Sequence, residues 1–213
     1  MGVLILLATI IGTIILNPSS YESIWIRTED PESGKVEPLG VSITEEGASA
    51  ANILAIDLLG HLEVKGRAPK TGYSREQFYD TWPKIDGCSL RQLVIKRELG
   101  DTAFISKDDN CTVVSGEYDE PYTGSHIIFY QKSDISSGIQ IDHIVALSDA
   151  WQKGAQKISQ EERYKLATDP INLVAVDSKA NQDKSDGDAA TWLPPNKSFR
   201  CSYVARQVSI KYK

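Results

Sequence analysis

The sequence has few cysteines, and their spacing excludes a structural zinc site. Cys88, Cys111 and Cys201 are the only cysteines in 213 residues, and no C-x-x-C pair occurs. Zinc sites take closely spaced Cys and His ligands. Scattered thiols of this kind fit an exported protein with one disulfide. A Cys88–Cys111 bond closes a modest loop and leaves Cys201 without a partner.

The sequence also lacks an excess of positive charge. It has 23 Lys and Arg against 29 Asp and Glu, a formal net charge of −6. The acidic excess lies in residues 1–60, and residues 61–213 are neutral. The total charge therefore gives no indication of nucleic-acid binding. Only a local cluster of basic residues could indicate it.

No hydrophobic run is long enough to cross a bilayer comfortably. The apolar stretch at residues 3–16 covers about 14 residues, whereas a spanning helix needs about 20. The stretch fits the core of a secretory signal, but no Lys or Arg precedes it and no A-x-A site follows it. Residues 1–17 are therefore expected to be a signal peptide or an uncleaved membrane anchor.

Composition divides the rest of the chain into two parts. Residues 18–51 are rich in Pro, Glu, Ser and Gly, which predicts an acidic linker. Residues 52–213 have the length and apolar content of one ordinary domain.

Within this domain the patterns predict both helices and strands. Helices are expected at 48–62 and after the capping-box sequences SREQ, SLRQ and SQEE, which begin at Ser74, Ser89 and Ser159. Strands are expected in CTVVSGEY and SHIIFYQ, on either side of the turn DEPYTG, and again in GIQIDHIV and INLVAVD. A closing helix is expected at RCSYVARQVSIKYK.

The stretch GIQIDHIV places two adjacent ionisable residues, Asp142 and His143, in an apolar strand pattern. A second strand carrying Asn172 follows, and then a helix carrying Asn181. Two strands followed by a helix that closes over them would bring Asp142 and Asn181 together, with His143 beside them. Oxygen ligands of this type suit Mg²⁺ or Mn²⁺. An isolated Asp-His pair occurs often by chance and would not indicate a metal site. The order of all four residues along two strands and a helix is the stronger indication.

This order resembles that of the HNH, or His-Me finger, nucleases. The longer stretches DHIVALSDAW, DPINLVAVDSKANQDKSDGDAATWLPPN and RCSYVARQVSIKYK resemble the exported bacterial HNH nucleases. That group is related to the C-terminal nuclease domain of GmrSD-type restriction enzymes. The resemblance covers residues 52–213 and implies an α+β fold whose ββα-metal core packs against helices.

The resemblance also implies roles for single residues. His143 would be the general base that deprotonates the attacking water, and Asn172 would hold the loop that orients it. Asp142 and Asn181 would bind one divalent metal, Mg²⁺ or Mn²⁺. Asn181 stands where many family members have His, which is a common variant.

Two further residues are candidates for contact with a substrate phosphate, and each has a structural alternative. Arg91 lies close to Cys88 in sequence, and its alternative is a buried salt bridge. Lys184 follows Asn181, and its alternative is a polar helix end.

The expected function is therefore metal-dependent cleavage of phosphodiester bonds in DNA, or in RNA, with little sequence specificity. The products would carry 5′-phosphate and 3′-hydroxyl ends. The expected protein is a bacterial monomer, secreted or anchored to the membrane through its N-terminal segment. Two alternatives stay open: a non-catalytic nucleic-acid-binding module, and a metal-dependent phosphodiesterase on another substrate. If the nuclease acts on competing cells, an immunity protein would be a further partner.

Overall fold

The computed structural model describes residues 41–44, 47–50, 53–64 and 66–213. The signal or anchor predicted for residues 1–17, and residues 18–40 of the predicted linker, lie outside them. Among the described residues, none of the helices has the length and apolar character that crossing a membrane requires.

The described residues form an α+β structure, as predicted. In chain order the helices are α1 (Ala55–Leu59), α2 (Leu90–Leu99), α3 (Lys132–Gly138), α4 (Leu147–Gln152), α5 (Gln160–Thr168), α6 (Ser178–Lys184) and α7 (Arg200–Tyr212). The strands are β1 (Val41–Thr44), β2 (Gly47–Ala50), β3 (Ile53–Leu54), β4 (Lys84–Ile85), β5 (Cys88–Ser89), β6 (Phe104–Ile105), β7 (Val113–Asp119), β8 (His126–Phe129), β9 (Ile139–His143) and β10 (Leu173–Asp177). They form small sheets, in the orders β1-β2-β3, β4-β5, β6-β7-β8 and β10-β9.

The antiparallel pair β9 and β10 lies between two hydrophobic clusters. Val174 and Val176 belong to one cluster, and Leu173 and Ala175 belong to the other. Successive side chains of a strand point to opposite faces. Both faces of this sheet are therefore buried, which explains why the sequence LVAV is apolar throughout instead of alternating.

Helix α6 follows β10 directly and covers one face of the pair. Asp177 caps its N-terminus, because its side chain accepts a hydrogen bond of 2.8 Å from the Ala180 backbone N–H. The helix ends at Lys184, because the next residue, Ser185, has a φ of 53° that breaks the helical path. The last strand residues and the first turns of α6 thereby become neighbours.

The opposite face packs against α2 and the sheet β6-β7-β8. Ser89 caps α2, as the SLRQ sequence predicts, by accepting a hydrogen bond from the Gln92 backbone N–H. The predicted disulfide is confirmed, and Cys88–Cys111 joins the start of α2 to the segment before β7. Gly116 in β7 has no room for a side chain, since a Cβ atom would lie 2.6 Å from the Leu99 side chain.

Three local predictions differ from the structure. The helix expected at 48–62 is reduced to α1, and β2 and β3 occupy its start. Residues 41–44 and 47–50 of the predicted linker form the strands β1 and β2. The SREQ sequence forms only a short 3₁₀ turn, Arg75–Gln77, without a side-chain cap from Ser74.

Candidate active site

Strand β9 ends at the two ionisable residues that stand out in the sequence. Asp142 lies opposite Val174 and His143 opposite Leu173 in the β9–β10 pairing. Both side chains are buried, with 6% exposure each. As consecutive strand residues they point to opposite faces.

Asp142 is enclosed by protein groups on the α6 face. The Lys184 ammonium lies 3.0 Å from one carboxylate oxygen and 2.8 Å from the other, and the Tyr122 hydroxyl donates a hydrogen bond to the second oxygen. Burial raises the pKa of Asp142, and Lys184 opposes that rise. Burial and the neighbouring carboxylate raise the pKa of Tyr122, so the phenol keeps its proton and acts as a donor.

The two predicted metal ligands, Asp142 and Asn181, both form contacts of this kind. Carboxylate and carboxamide oxygens are suitable in type for Mg²⁺. However, both oxygens of Asp142 already accept hydrogen bonds, and the Lys184 ammonium is the cation beside them. Asn181 has a different partner, since its amide donates a 2.7 Å hydrogen bond to Gln140 Oε1. In this arrangement Asp142 does not fit a metal ion, and the described residues contain no cluster of three or more acidic, His or Cys ligands.

The same contacts correct the prediction for Lys184. Its ammonium is 0% exposed and also donates a 2.8 Å hydrogen bond to the His143 carbonyl oxygen. A side chain held in this way cannot reach a substrate phosphate in this structure.

His143 is held by one backbone carbonyl and two aromatic rings. Its Nε2 lies 3.0 Å from the Ala167 carbonyl oxygen and 3.4 Å from the Tyr79 hydroxyl. A carbonyl only accepts hydrogen bonds, so Nε2 carries the proton and Nδ1 carries the free lone pair. The Trp82 ring lies nearly parallel to the imidazole, at 4° and 6.1 Å between centroids.

These surroundings keep His143 neutral. Burial, followed by the positive charge of Arg75, lowers the pKa of His143 to about 3. A neutral imidazole with one fixed N–H is the form that can accept a proton from water, but a pKa this far below neutral also makes it a weaker base than a free histidine.

Asn172 connects the turn after His143 to the end of α5. Its Oδ1 accepts a 2.8 Å hydrogen bond from the Val145 backbone N–H, and its Nδ2 donates one of 2.9 Å to the Leu166 carbonyl. Leu166 precedes Ala167, whose carbonyl holds the imidazole. Asn172 is fully buried, so these bonds are shielded from water.

A cleft of about 390 Å³ opens beside β9; the His143 imidazole does not line it, but Trp82, which does, stacks on that ring. It is lined by Arg75, Trp82, Arg91, Ile139, Gln140, Ile141 and Asn181. Arg91 donates a 3.1 Å hydrogen bond to the Ile139 carbonyl, and burial lowers the pKa of its guanidinium. The structure thus brings Arg91 and Asn181 to one cleft and leaves Lys184 outside it.

Sequence reasoning missed two residues of this region, Arg75 and Trp82. The sequence favours a surface or structural role for Arg75 and assigns no role to Trp82. In the structure the Arg75 guanidinium lies over the Tyr79 and Trp82 rings, at 5.1 and 5.4 Å from their centroids. The signal available was the concentration of aromatic residues around one arginine in YSREQFYDTW.

A larger cavity of about 640 Å³ lies elsewhere and contains none of the predicted site residues. Its lining includes Val145, Ile158, Leu166 and Ile210. It therefore takes no part in the site described here.

Comparison with known proteins gives two matches. Residues 90–213 match the family described as GmrSD restriction endonucleases, C-terminal domain. The chain is also 34% identical over 160 residues to an "Uncharacterized secreted protein" of the fungus Arthroderma benhamiae, covering 74% of this chain and 74% of the relative. No solved structure matches the chain. Because this relative is fungal, it gives no support to a bacterial origin.

Proposed function

This chain belongs to the family of GmrSD restriction endonuclease C-terminal domains, and we propose that it is an HNH-type endonuclease that hydrolyses phosphodiester bonds of DNA. The observation that carries the proposal is the state of His143. Its N–H is fixed by the Ala167 carbonyl, and its ring stacks on Trp82, which lines a cleft with two arginines.

The proposed reaction uses His143 as the general base. Nδ1 takes a proton from a water molecule as the water oxygen forms a bond to phosphorus. The bond from phosphorus to the 3′-oxygen breaks, and that oxygen leaves and takes up a proton from solvent. The products carry 5′-phosphate and 3′-hydroxyl ends. A positioned base of this kind contributes about 10²- to 10⁴-fold to a rate.

The succession β9, the 3₁₀ turn Pro170–Asn172, β10 and α6 supports an HNH-type core, because it carries Asp142, His143, Asn172 and Asn181 in the expected order. We propose that Asn172 acts as a positioning residue. It fixes the Leu166 carbonyl, and the next carbonyl, that of Ala167, holds the imidazole.

The resemblance implies a divalent metal, Mg²⁺ or Mn²⁺, on Asp142 and Asn181. The carboxylate as it stands is engaged by Lys184, so we assign no step of the reaction to a metal. The same observation favours a second candidate function, a nucleic-acid-binding module without catalysis, because the closed Asp142–Lys184 pair leaves no exposed carboxylate in the cleft.

We further propose that the protein acts outside the cell, in line with the description of its fungal relative as a secreted protein and with the Cys88–Cys111 disulfide. Substrate contacts are expected to be mainly to phosphates, which gives little sequence specificity and a rate that falls with salt.

Plasmid cleavage by the full oxidised chain tests the function. The assay compares the wild type, His143→Ala and His126→Ala in Mg²⁺, in Mn²⁺ and in EDTA. His126 is a matched control because it is exposed on β8 and pairs with Asp119. We expect nicking by the wild type and by His126→Ala, and at least a 100-fold loss in His143→Ala. If the folded wild type does not cut under any condition, the binding module becomes the better account.

A further inference from the structure

Arg75 and Arg91 face the same cleft, and neither forms an ion pair within the part of the chain that the structure describes. Arg75 donates a hydrogen bond to the Tyr79 hydroxyl, and Arg91 donates one to the Ile139 carbonyl. A guanidinium group has five N–H donors in a fixed fork. Most donors of both arginines are therefore available to a ligand.

Two other arginines of the described residues are neutralised by carboxylates, whereas Arg163 and Arg200 are held, like Arg91, by backbone carbonyls. Arg67 lies 3.2 Å from the Asp149 carboxylate, and Arg97 pairs with Glu98. Bringing a charged group out of water is unfavourable unless an opposite charge compensates it. Arg91 is half-buried with no carboxylate beside it, and the exposed Arg75 lines the same small cleft, so the two positive charges together favour an anion that arrives from outside.

The guanidinium of Arg75 is held in place before any ligand arrives. It lies over the faces of Tyr79 and Trp82, which attract a cation. The Ile139 carbonyl restrains Arg91 on the other side. Fixed donors lose little side-chain entropy when they bind, and this favours affinity.

The remaining lining of the cleft suits the same ligand. It has no acidic side chain, and Gln140 and Asn181 contribute carboxamides. Trp82 lines the cleft and also stacks on His143, so an anion bound in the cleft would lie close to the proposed base.

We propose that Arg75 and Arg91 form a clamp for a backbone phosphate of a nucleic acid and hold the strand next to His143. The fork of a guanidinium group matches two phosphate oxygens at once, which a lysine cannot do. The identity of the ligand as nucleic acid depends on the proposed function, whereas the phosphate chemistry depends on the cleft alone.

The test measures binding separately from cleavage. In the full chain with His143→Ala, a fluorescein-labelled DNA duplex is titrated at increasing NaCl by anisotropy. Arg75→Gln and Arg91→Gln are compared with Lys107→Gln, which removes one exposed charge from the turn before β7. Each lost phosphate contact lowers the slope of log affinity against log salt by about 0.9. We expect that decrease in both arginine variants and an unchanged slope in Lys107→Gln.

A second arm uses inorganic phosphate alone. Phosphate should raise the melting temperature of the parent and of Lys107→Gln but not of either arginine variant. If a glutamine variant fails to fold, Arg75→Lys and Arg91→Lys take its place. They keep the charge and lose the fork, so they should bind DNA more weakly with an unchanged salt slope.

Unchanged slopes and unchanged phosphate stabilisation in both arginine variants would overturn the clamp, even if the wild type cuts DNA. Lower slopes together with a wild type that cuts nothing would support the clamp and overturn the nuclease. The two proposals can therefore fail separately.

Discussion

Among single residues, Lys184 differs most from what its position in the sequence suggests. It follows Asn181 by three residues, which places both on one face of α6. That spacing predicts that both side chains lie over β9, and they do, against Asp142 and Gln140. The spacing does not predict that the ammonium turns inward, because this depends on the space left between α6 and Tyr122.

The buried charge pair makes a direct prediction about stability. Lys184→Met should lower the free energy of unfolding by about 3–5 kcal/mol, because the Asp142 carboxylate stays buried without its partner. The double variant Asp142→Leu/Lys184→Met should recover much of this loss, since it buries no charge. Urea denaturation measures both.

Lys179→Met is the control for that series. Lys179 lies on the same helix but is exposed and pairs only with Asp183, so its loss should cost about 0.5 kcal/mol or less. A Lys184→Met variant as stable as Lys179→Met would show that the buried pair is absent in solution.

At the scale of elements, the capping sequences show where local rules suffice. Ser159 and Glu162 form the complete reciprocal cap that SQEE predicts, and α5 follows. Ser74 and Gln77 have the same form, but only a 3₁₀ turn follows. The next residues, Phe78 and Tyr79, are buried in the core, so tertiary packing of these aromatic side chains outweighs the local signal.

Strand β10 was easier to predict than the start of the domain. Its apolar run is short and bounded by Asn172 and Asp177, which limits it to a strand. Residues 48–62 offer helix-forming alanines and leucines, yet β2 and β3 pair there instead. This pairing depends on the neighbouring strand β1. The Pro, Glu, Ser and Gly content of residues 18–51 predicts a linker, so it gives no sign of that strand.

The disulfide makes a prediction for the packing of α2. It closes a segment with a sequence separation of 23 residues. The double variant Cys88→Ser/Cys111→Ser should therefore lose about 3 kcal/mol of stability, measured as a shift of the urea midpoint. The control Cys201→Ser should unfold like the wild type, because Cys201 is an exposed free thiol.

The disulfide prediction would be wrong if a reducing agent shifted the wild type and the double variant equally. An equal shift would mean that the effect of the reducing agent does not come from a bond between Cys88 and Cys111.

At the scale of the whole molecule, a charge network joins distant parts of the chain. The buried Asp149 carboxylate lies 3.2 Å from Arg67, 2.8 Å from Lys153 and 3.5 Å from Lys211. Lys153 also pairs with Asp188. The segment before Arg75, helix α4, the turn after α6 and helix α7 are thereby connected.

The network predicts how stability depends on pH. Partial burial acts to raise the pKa of Asp188, but Lys153 and hydrogen bonds from Thr191 and Ala190 outweigh it and bring the pKa to about 2. The unfolded value is about 3.9. The folded state therefore binds this proton less readily, so the contribution is complete above about pH 4 and is lost as the pH falls towards 2.

Asp188→Asn isolates that contribution. The stability difference between wild type and variant should shrink as the pH falls from about 4 to 2, measured by urea unfolding at each pH. The exposed Asp183→Asn serves as the control. A difference that stays constant over this range would contradict the role assigned to Lys153.

The site itself could be predicted only in part. Asp142, His143, Asn172 and Asn181 lie within one strand–strand–helix succession, so sequence order alone places them near one another. The Arg75 and Trp82 side chains reach the cleft from a segment more than 50 residues before β9. Contacts between residues so far apart in the sequence depend on how α2 and β9 pack, and no local sequence pattern predicts that packing.

The most direct test of the account is imidazole rescue of the base. Single-turnover cleavage of a labelled DNA duplex is measured for the wild type and for His143→Ala, with and without added imidazole. The account predicts a loss of at least about 100-fold in the variant and a partial return with imidazole, which leaves the wild type unaffected. Cleavage by His143→Ala at the wild-type rate would contradict it, because the proton from water would then go to another group.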